Sequence, residues 1–91
     1  MENESAWKVA IIEADNLIDD LIRRMGYKGE NLSARLEGIN PGQIENIDEL
    51  RKAHEMRNRI IHEEGFKLDK KTAEETLGYY ENFLRYFEVF E

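Results

Sequence analysis

A long stripe of apolar residues near the N-terminus constrains the fold more than any other feature. Between Ser5 and Met25, apolar side chains recur at intervals of three and four, which places them along one face of an α-helix. Gly26 predicts the end of this helix, because glycine readily adopts the backbone conformation of a helix C-terminus. A helix with one apolar face must bury that face, so the chain is predicted to form a helical bundle. The stripe consists of Trp7, Ala10, Ile11, Ala14, Leu17, Ile18, Leu21, Ile22 and Met25.

Two further helices are predicted from their start signals. Asn31 is a suitable N-cap for a short helix that Gly38 would close. After a turn around the only proline, Asn46 is followed three residues later by Glu49, which resembles a capping box. The third helix is therefore predicted to begin near residue 47 and to stop at 63–65, where two glutamates precede a glycine.

The fourth predicted helix begins after Asp69 and carries most of the aromatic side chains. Apolar residues at heptad-like spacing form its inner face: Ala73, Leu77, Tyr80, Leu84 and Phe87. The aromatic residues spread over more than one face, so we expect the domain core to bury one side and a partner chain another: Tyr79, Tyr80, Phe83, Tyr86, Phe87 and Phe90. The predicted fold is all-α. A single domain over 1–91 would form a four-helix up-and-down bundle with two long helices, one medium and one short.

Composition limits the chemistry of the chain. It contains no cysteine, which excludes disulfides, thiolate metal sites and a cysteine nucleophile. Residues 1–4 lack the features of a signal peptide, and no apolar run approaches the roughly 18 residues of a membrane span. We therefore expect a cytoplasmic protein whose chain, as given, makes no membrane contact.

The net charge of −7 is distributed unevenly. Residues 1–50 carry a net charge of −6, residues 51–62 carry +3, and residues 63–91 carry −4. A positive island on an acidic molecule suits transient binding of a short substrate, whereas tight non-specific nucleic-acid binding requires many phosphate contacts.

The positive island overlaps the most chemically suggestive stretch, AHEMRNRIIHEE at 53–64. Arg57, Asn58 and His62 fall within six positions of one predicted helix. A histidine, with an ordinary pKa of about 6.5, can act as general acid or base near neutral pH. The planar fork of an arginine binds two phosphate oxygens at once. Asn58 lies four residues before His62 and could orient the imidazole or a phosphate.

This pattern resembles the RxxxxH motif of HEPN domains, small all-α modules of which many are metal-independent ribonucleases acting as dimers. The resemblance covers most of the chain and is carried by RNRIIH at 57–62. It implies that Arg57 and His62 are catalytic, that Asn58 assists, and that neither metal nor cofactor is needed. Arg51 and Arg59 would contribute to substrate binding.

The same resemblance bears on partners. It implies a homodimer that brings two His62 side chains to one cleft, RNA or a nucleotide as substrate, and a toxin or defence role, with an antitoxin protein as a candidate partner. In the subclass paired with a nucleotidyltransferase antitoxin, a tyrosine usually follows the histidine by two residues, and this position is Glu64. Adenylylation of a motif tyrosine is therefore not expected here.

A non-catalytic interpretation stays open from sequence. Arg57 could pair with Glu13 or Asp15 of the first helix, and the domain would then be a dimerisation or nucleotide-binding module. The chain is also similar to cytoplasmic domains of small membrane-anchored bacterial proteins. His54 and His62 stand eight residues apart, a spacing poorly matched to one metal ion.

Overall fold

The computed structural model describes residues 3–88, with side chains described to residue 86, and this part of the chain contains four α-helices and no strand. The fold class is confirmed as all-α. The order of lengths is also as predicted, with two long helices of 21 and 19 residues, one of 16 and one of 6. The helices are α1 (Glu4–Arg24), α2 (Leu32–Glu37), α3 (Ile47–His62) and α4 (Lys70–Glu88).

Helix starts and ends follow local side-chain chemistry. The Asn31 side chain accepts a hydrogen bond from Ala34 N at 2.9 Å, and Asp69 accepts one from Thr72 N at 2.7 Å. Both predicted N-caps are confirmed, since each satisfies a backbone donor that has no partner within its helix. Gly26 follows α1 with a φ of +95°, a conformation that side chains with a Cβ rarely adopt.

The predicted capping box at the start of α3 is wrong in its contacts, although the helix begins where expected. The Asn46 side chain accepts no hydrogen bond from the first turn. Its amide donates to Glu49 Oε1 at 3.1 Å and to the carbonyl of Tyr79 at 3.1 Å. A tertiary contact with α4 has replaced the local cap.

Helices α1, α3 and α4 pack against one another, and α2 packs against α3. Their apolar faces form one core, in which Tyr80 and Phe83 are the largest side chains that are almost fully buried. Tyr80 belongs to the predicted inner face of α4, whereas Phe83 is buried although it lies outside that predicted set. Tyr86 is 42% exposed, and Phe87 and Phe90 lie outside the described side chains. The core comprises Ile11, Ile18, Ile22, Leu32, Leu36, Ile39, Ile44, Ile47, Leu50, Ala53, Leu68, Ala73, Tyr80 and Phe83.

Two arginines hold the short helix α2 in place. Arg51 on α3 donates to the carbonyl of Leu36, in the last turn of α2, and to the carbonyl of Ile39, just beyond the end of that helix. Arg35 on α2 pairs with Asp19 on α1 at 2.7 Å and is 13% exposed. Because a six-residue helix is marginal on its own, these contacts and the burial of Leu32 and Leu36 fix its position.

The first turns of α1 bind the connection between α3 and α4. Glu4 Oε2 accepts a hydrogen bond from Leu68 N at 2.6 Å, and Lys8 Nζ donates to the carbonyl of Phe66 at 2.6 Å. These bonds satisfy backbone groups that no helix can satisfy. Among the described residues, no helix has the length and apolar character to cross a bilayer.

Two carboxylates in these connections make stability depend on pH. The backbone N–H of Leu68 lowers the pKa of Glu4 below its ordinary value of 4.5, and the backbone N–H of Thr72 lowers that of Asp69 below 3.8. The unfolded chain therefore takes up these protons first as pH falls. Their contribution to the free energy of unfolding is fully present above about pH 5 and is lost as pH drops through the lowered values.

We expect the double variant Glu4→Gln, Asp69→Asn to lose this part of the pH dependence, because both amides keep an acceptor but do not titrate. Urea denaturation at pH 7, 5, 4 and 3 should show a stability difference between wild type and variant that shrinks towards acid. A difference that stays constant across the series would contradict the assignment.

Candidate functional site

A polar cleft of about 560 Å³ lies where α1, α2 and α3 meet. Carboxylates, arginines, histidines and amides form nearly all of its wall, and Leu32 is the single apolar lining residue among those that the structure describes. The lining residues are Asp15, Asn16, Asp19, Arg23, Glu30, Asn31, Leu32, Ser33, Arg35, His54, Arg57, Asn58 and His62. The motif residues Arg57, Asn58 and His62 are thus brought to one surface.

Asp15 lies at the floor of this cleft and is only 2% exposed. Its carboxylate accepts a hydrogen bond from the Tyr80 hydroxyl at 2.8 Å. His54 Nδ1 lies 3.1 and 3.0 Å from its two oxygens. Arg57 Nε lies 3.6 Å from Oδ2. A buried carboxylate is tolerated only when it is paired and hydrogen-bonded, and Asp15 meets this condition through residues of α3 and α4.

The Tyr80 hydroxyl is a stable donor in this arrangement. Burial raises the pKa of Tyr80 far above its ordinary value, and the neighbouring charge of Asp15 raises it further. The phenol therefore stays protonated at neutral pH and well above it, and it can donate this hydrogen bond to Asp15.

Sequence position explains why these polar groups are buried. Asp15 falls four residues after Ile11 and three before Ile18, in phase with the core positions of α1. His54 follows Ala53 and stands four residues after Leu50, in phase with the core positions of α3. An ionisable residue at a core position of an amphipathic helix is the sequence signal from which this network could have been predicted.

The three motif residues occupy different depths. Arg57 has a side chain that is 26% exposed, and it donates from Nη1 to Asn58 Oδ1 at 3.0 Å. Its Nε is buried and makes no hydrogen bond with any described residue. His62 is exposed at the last position of α3. Arg57 is therefore anchored beside Asp15, while the imidazole of His62 is accessible to solvent.

Arg51 and Arg59, predicted to bind substrate, do not line this cleft. Arg51 directs its guanidinium to the end of α2 and to Asp48, 3.0 Å away. Arg59 pairs with Glu63 at 3.2 Å, and its guanidinium lies 4.7 Å from the ring centre of Phe66. Most of the positive charge in 51–62 is thus already paired within the protein.

Sequence reasoning assigned no role to Ser33, which lies in the first turn of α2. Its hydroxyl is 2.9 Å from His54 Nε2, so both ring nitrogens of His54 have partners. Ser33, His54 and Asn58 also line a neighbouring depression of about 290 Å³.

Acidic partners reduce the positive potential of the cleft. Arg35 pairs with Asp19 at 2.7 Å, and Arg57 approaches Asp15 at 3.6 Å. Arg23 pairs with Asp20 at 3.3 Å. The cleft therefore lacks the strong positive field of a surface that binds long nucleic acid.

A second depression, of about 390 Å³, lies between the start of α3 and α4. Its lining contains Glu45, Asp48 and Glu49 and no motif residue. Within the described residues, no group of histidines and carboxylates is arranged to hold a metal ion. The cleft at Asp15 is therefore the better candidate for a functional site.

Comparison of the chain with protein-family models, with curated proteins and with solved structures finds no match. Function must therefore be inferred from the residues of the cleft.

Removing the Asp15 carboxylate should destabilise the fold strongly. Asp15→Ala leaves the Tyr80 hydroxyl, His54 and Arg57 without their shared partner, and we expect a loss of about 3 to 5 kcal/mol in the free energy of unfolding. Asp20→Ala, on the exposed side of the same helix, should cost no more than about 1 kcal/mol. Urea denaturation of both variants checks this, and equal losses would contradict a central role for Asp15.

Proposed function

We propose that this protein is a HEPN-like, metal-independent endoribonuclease that acts as a homodimer. The observation that supports this proposal best is that Arg57, Asn58 and His62 line one open cleft. These are the groups that RNA cleavage without a metal requires, namely a proton-transfer residue, a cation for the phosphate and a polar group to position either.

In the proposed reaction, a base removes the proton of a ribose 2′-hydroxyl, and the oxygen attacks the adjacent phosphorus. The bond to the 5′-oxygen breaks, an acid protonates that oxygen, and a 2′,3′-cyclic phosphate remains. His62 is the proposed proton-transfer group because it is exposed. Arg57 holds the phosphate oxygens, and its contact with Asn58 keeps both side chains at the same wall.

Dimerisation supplies the second histidine that the reaction needs. One protomer has a single histidine in the motif, whereas a two-fold axis near the ends of α3 would place two His62 side chains at one composite cleft. Ile61 directly precedes His62 and is 45% exposed, which provides an apolar contact at this position. An endoribonuclease of this kind is suited to a toxin or defence role. In that role, an antitoxin protein would be its partner.

One contact favours a second candidate function, a non-catalytic module that binds a nucleotide or RNA and dimerises. Arg57 is held 3.6 Å from the buried Asp15, which neutralises part of its charge and gives it a structural role. In this alternative the cleft binds a phosphate without breaking a bond.

The two candidates differ in cleavage of a mixed RNA pool in EDTA. We expect wild type to cut the RNA and leave 2′,3′-cyclic phosphate ends, and His62→Ala to lose at least about 100-fold in rate, the usual contribution of a general acid or base. Both proteins are purified identically, and Lys52→Ala serves as the matched control, because Lys52 is exposed on α3 and does not line the cleft.

Equal cleavage by wild type and His62→Ala would overturn the nuclease proposal, since the activity would then not come from the motif. If wild type binds RNA without cutting it at concentrations where it is dimeric, the binding module is the function.

The dimer can be tested separately through Ile61. We expect Ile61→Asp to shift the protein from dimer to monomer, because a buried carboxylate opposes an apolar interface. Cleavage should fall in proportion to the dimer fraction. Light scattering after size-exclusion chromatography measures the mass, and full cleavage by a monomeric variant would contradict a composite site.

A further inference from the structure

Three residues of the cleft form a continuous chain of hydrogen bonds that the nuclease proposal does not use. Ser33 Oγ lies 2.9 Å from His54 Nε2. On the other side of the ring, His54 Nδ1 lies 3.0 and 3.1 Å from the oxygens of Asp15. A hydroxyl, an imidazole and a buried carboxylate in this order have the geometry of a nucleophile, its base and the group that orients the base.

The carboxylate determines how the protons are arranged. An ionised Asp15 only accepts hydrogen bonds, so His54 Nδ1 carries a proton and donates it. In the neutral ring, Nε2 is then the acceptor, and the Ser33 hydroxyl donates to it. This is the protonation state that a serine nucleophile needs from its base.

Burial fixes the base but leaves the nucleophile accessible. Asp15 is 2% exposed and His54 8%, and the Tyr80 hydroxyl holds the carboxylate from α4 at 2.8 Å. Ser33 is exposed and lines the cleft. Three helices thus hold the imidazole in one orientation, while the residue that carries the hydroxyl is exposed at the wall of the cleft.

A group to stabilise negative charge on a substrate lies nearby. Asn58 stands four residues after His54 on α3. Like Ser33 and His54, it lines both the cleft and the neighbouring depression of about 290 Å³. Its Oδ1 accepts the hydrogen bond from Arg57 Nη1, so its N–H groups are the donors that it can offer to the cleft.

We propose that Ser33, His54 and Asp15 form a catalytic triad that hydrolyses short-chain carboxylic esters. Ser33 Oγ bonds to the ester carbonyl carbon as its proton moves to His54 Nε2. The bond from that carbon to the alkoxide oxygen breaks, and the alkoxide takes the proton from His54. Water then attacks the acyl carbon and gives a proton to His54 Nε2. The bond from that carbon to Ser33 Oγ breaks, Oγ takes the proton back from His54, and a carboxylic acid leaves.

The wall of the cleft restricts the acyl group. Among the described residues, its single apolar lining residue is Leu32, so a long hydrocarbon chain has almost no apolar surface to bury. An acyl group as short as acetyl does not need such a surface. The proposed triad is independent of RNA cleavage, because Ser33 lies outside the 57–62 motif. The two proposals can be tested separately, because a reactive Ser33 is detected as a covalent adduct on the protein itself.

Covalent labelling tests the triad directly. A fluorophosphonate forms a bond from its phosphorus to a nucleophilic serine oxygen and releases fluoride. The chain contains two serines, Ser5 and Ser33, so Ser5→Ala is a matched control. We expect one adduct per wild-type or Ser5→Ala chain, mapped to Ser33 by peptide mass, and none on Ser33→Ala. p-Nitrophenyl acetate hydrolysis should fall at least about 100-fold in Ser33→Ala.

A second pair of variants checks the role of His54 without disturbing the buried network. In Ser33→Cys the imidazole should take the thiol proton, so iodoacetamide should react at least about tenfold faster than with Ser5→Cys in the folded protein. Absence of an adduct on folded wild type, equal labelling of Ser33→Ala, or equal reactivity of the two cysteines would each overturn the triad.

Discussion

The buried carboxylate of Asp15 is the interaction on which the rest of the structure depends. It binds Tyr80 from α4 and His54 from α3, and it attracts Arg57 one turn further along α3. Placing a charge in an apolar core is costly, so the packing of three helices must supply its partners together. The orientation of α1 relative to α3 and α4 is therefore set by polar geometry as well as by apolar contact.

This arrangement divides the cleft into a fixed floor and an accessible rim. At the floor, Asp15 holds His54 and Arg57, and His54 reaches Ser33 on α2. At the rim, His62 is exposed at the end of α3. The two histidines therefore occupy different environments on one helix. A hydrogen-bonded network at the floor gives reproducible geometry, whereas the exposed rim is less constrained.

Periodicity predicted the helices well, because each helix of this chain has a strong local start signal or an unbroken apolar stripe. It also placed Arg57, Asn58 and His62 on one helix, and the structure brings these three to one cleft. Sequence alone left open whether Arg57 pairs with Glu13 or Asp15, and the structure selects Asp15. The link from His54 to Ser33 could not be predicted, since it depends on how Arg51 and Arg35 dock a six-residue helix.

The most direct test of the Asp15 network is the tautomer of His54, read from the ring-nitrogen shifts in a long-range ¹⁵N correlation spectrum recorded where both histidines are neutral. The structure predicts that the proton of His54 resides on Nδ1, held by Asp15, while Nε2 accepts from Ser33. Exposed His62 serves as the internal reference and should show the Nε2-protonated form that free imidazole side chains prefer. The same Nε2-protonated signal from His54 would contradict the network, and with it the proposed triad.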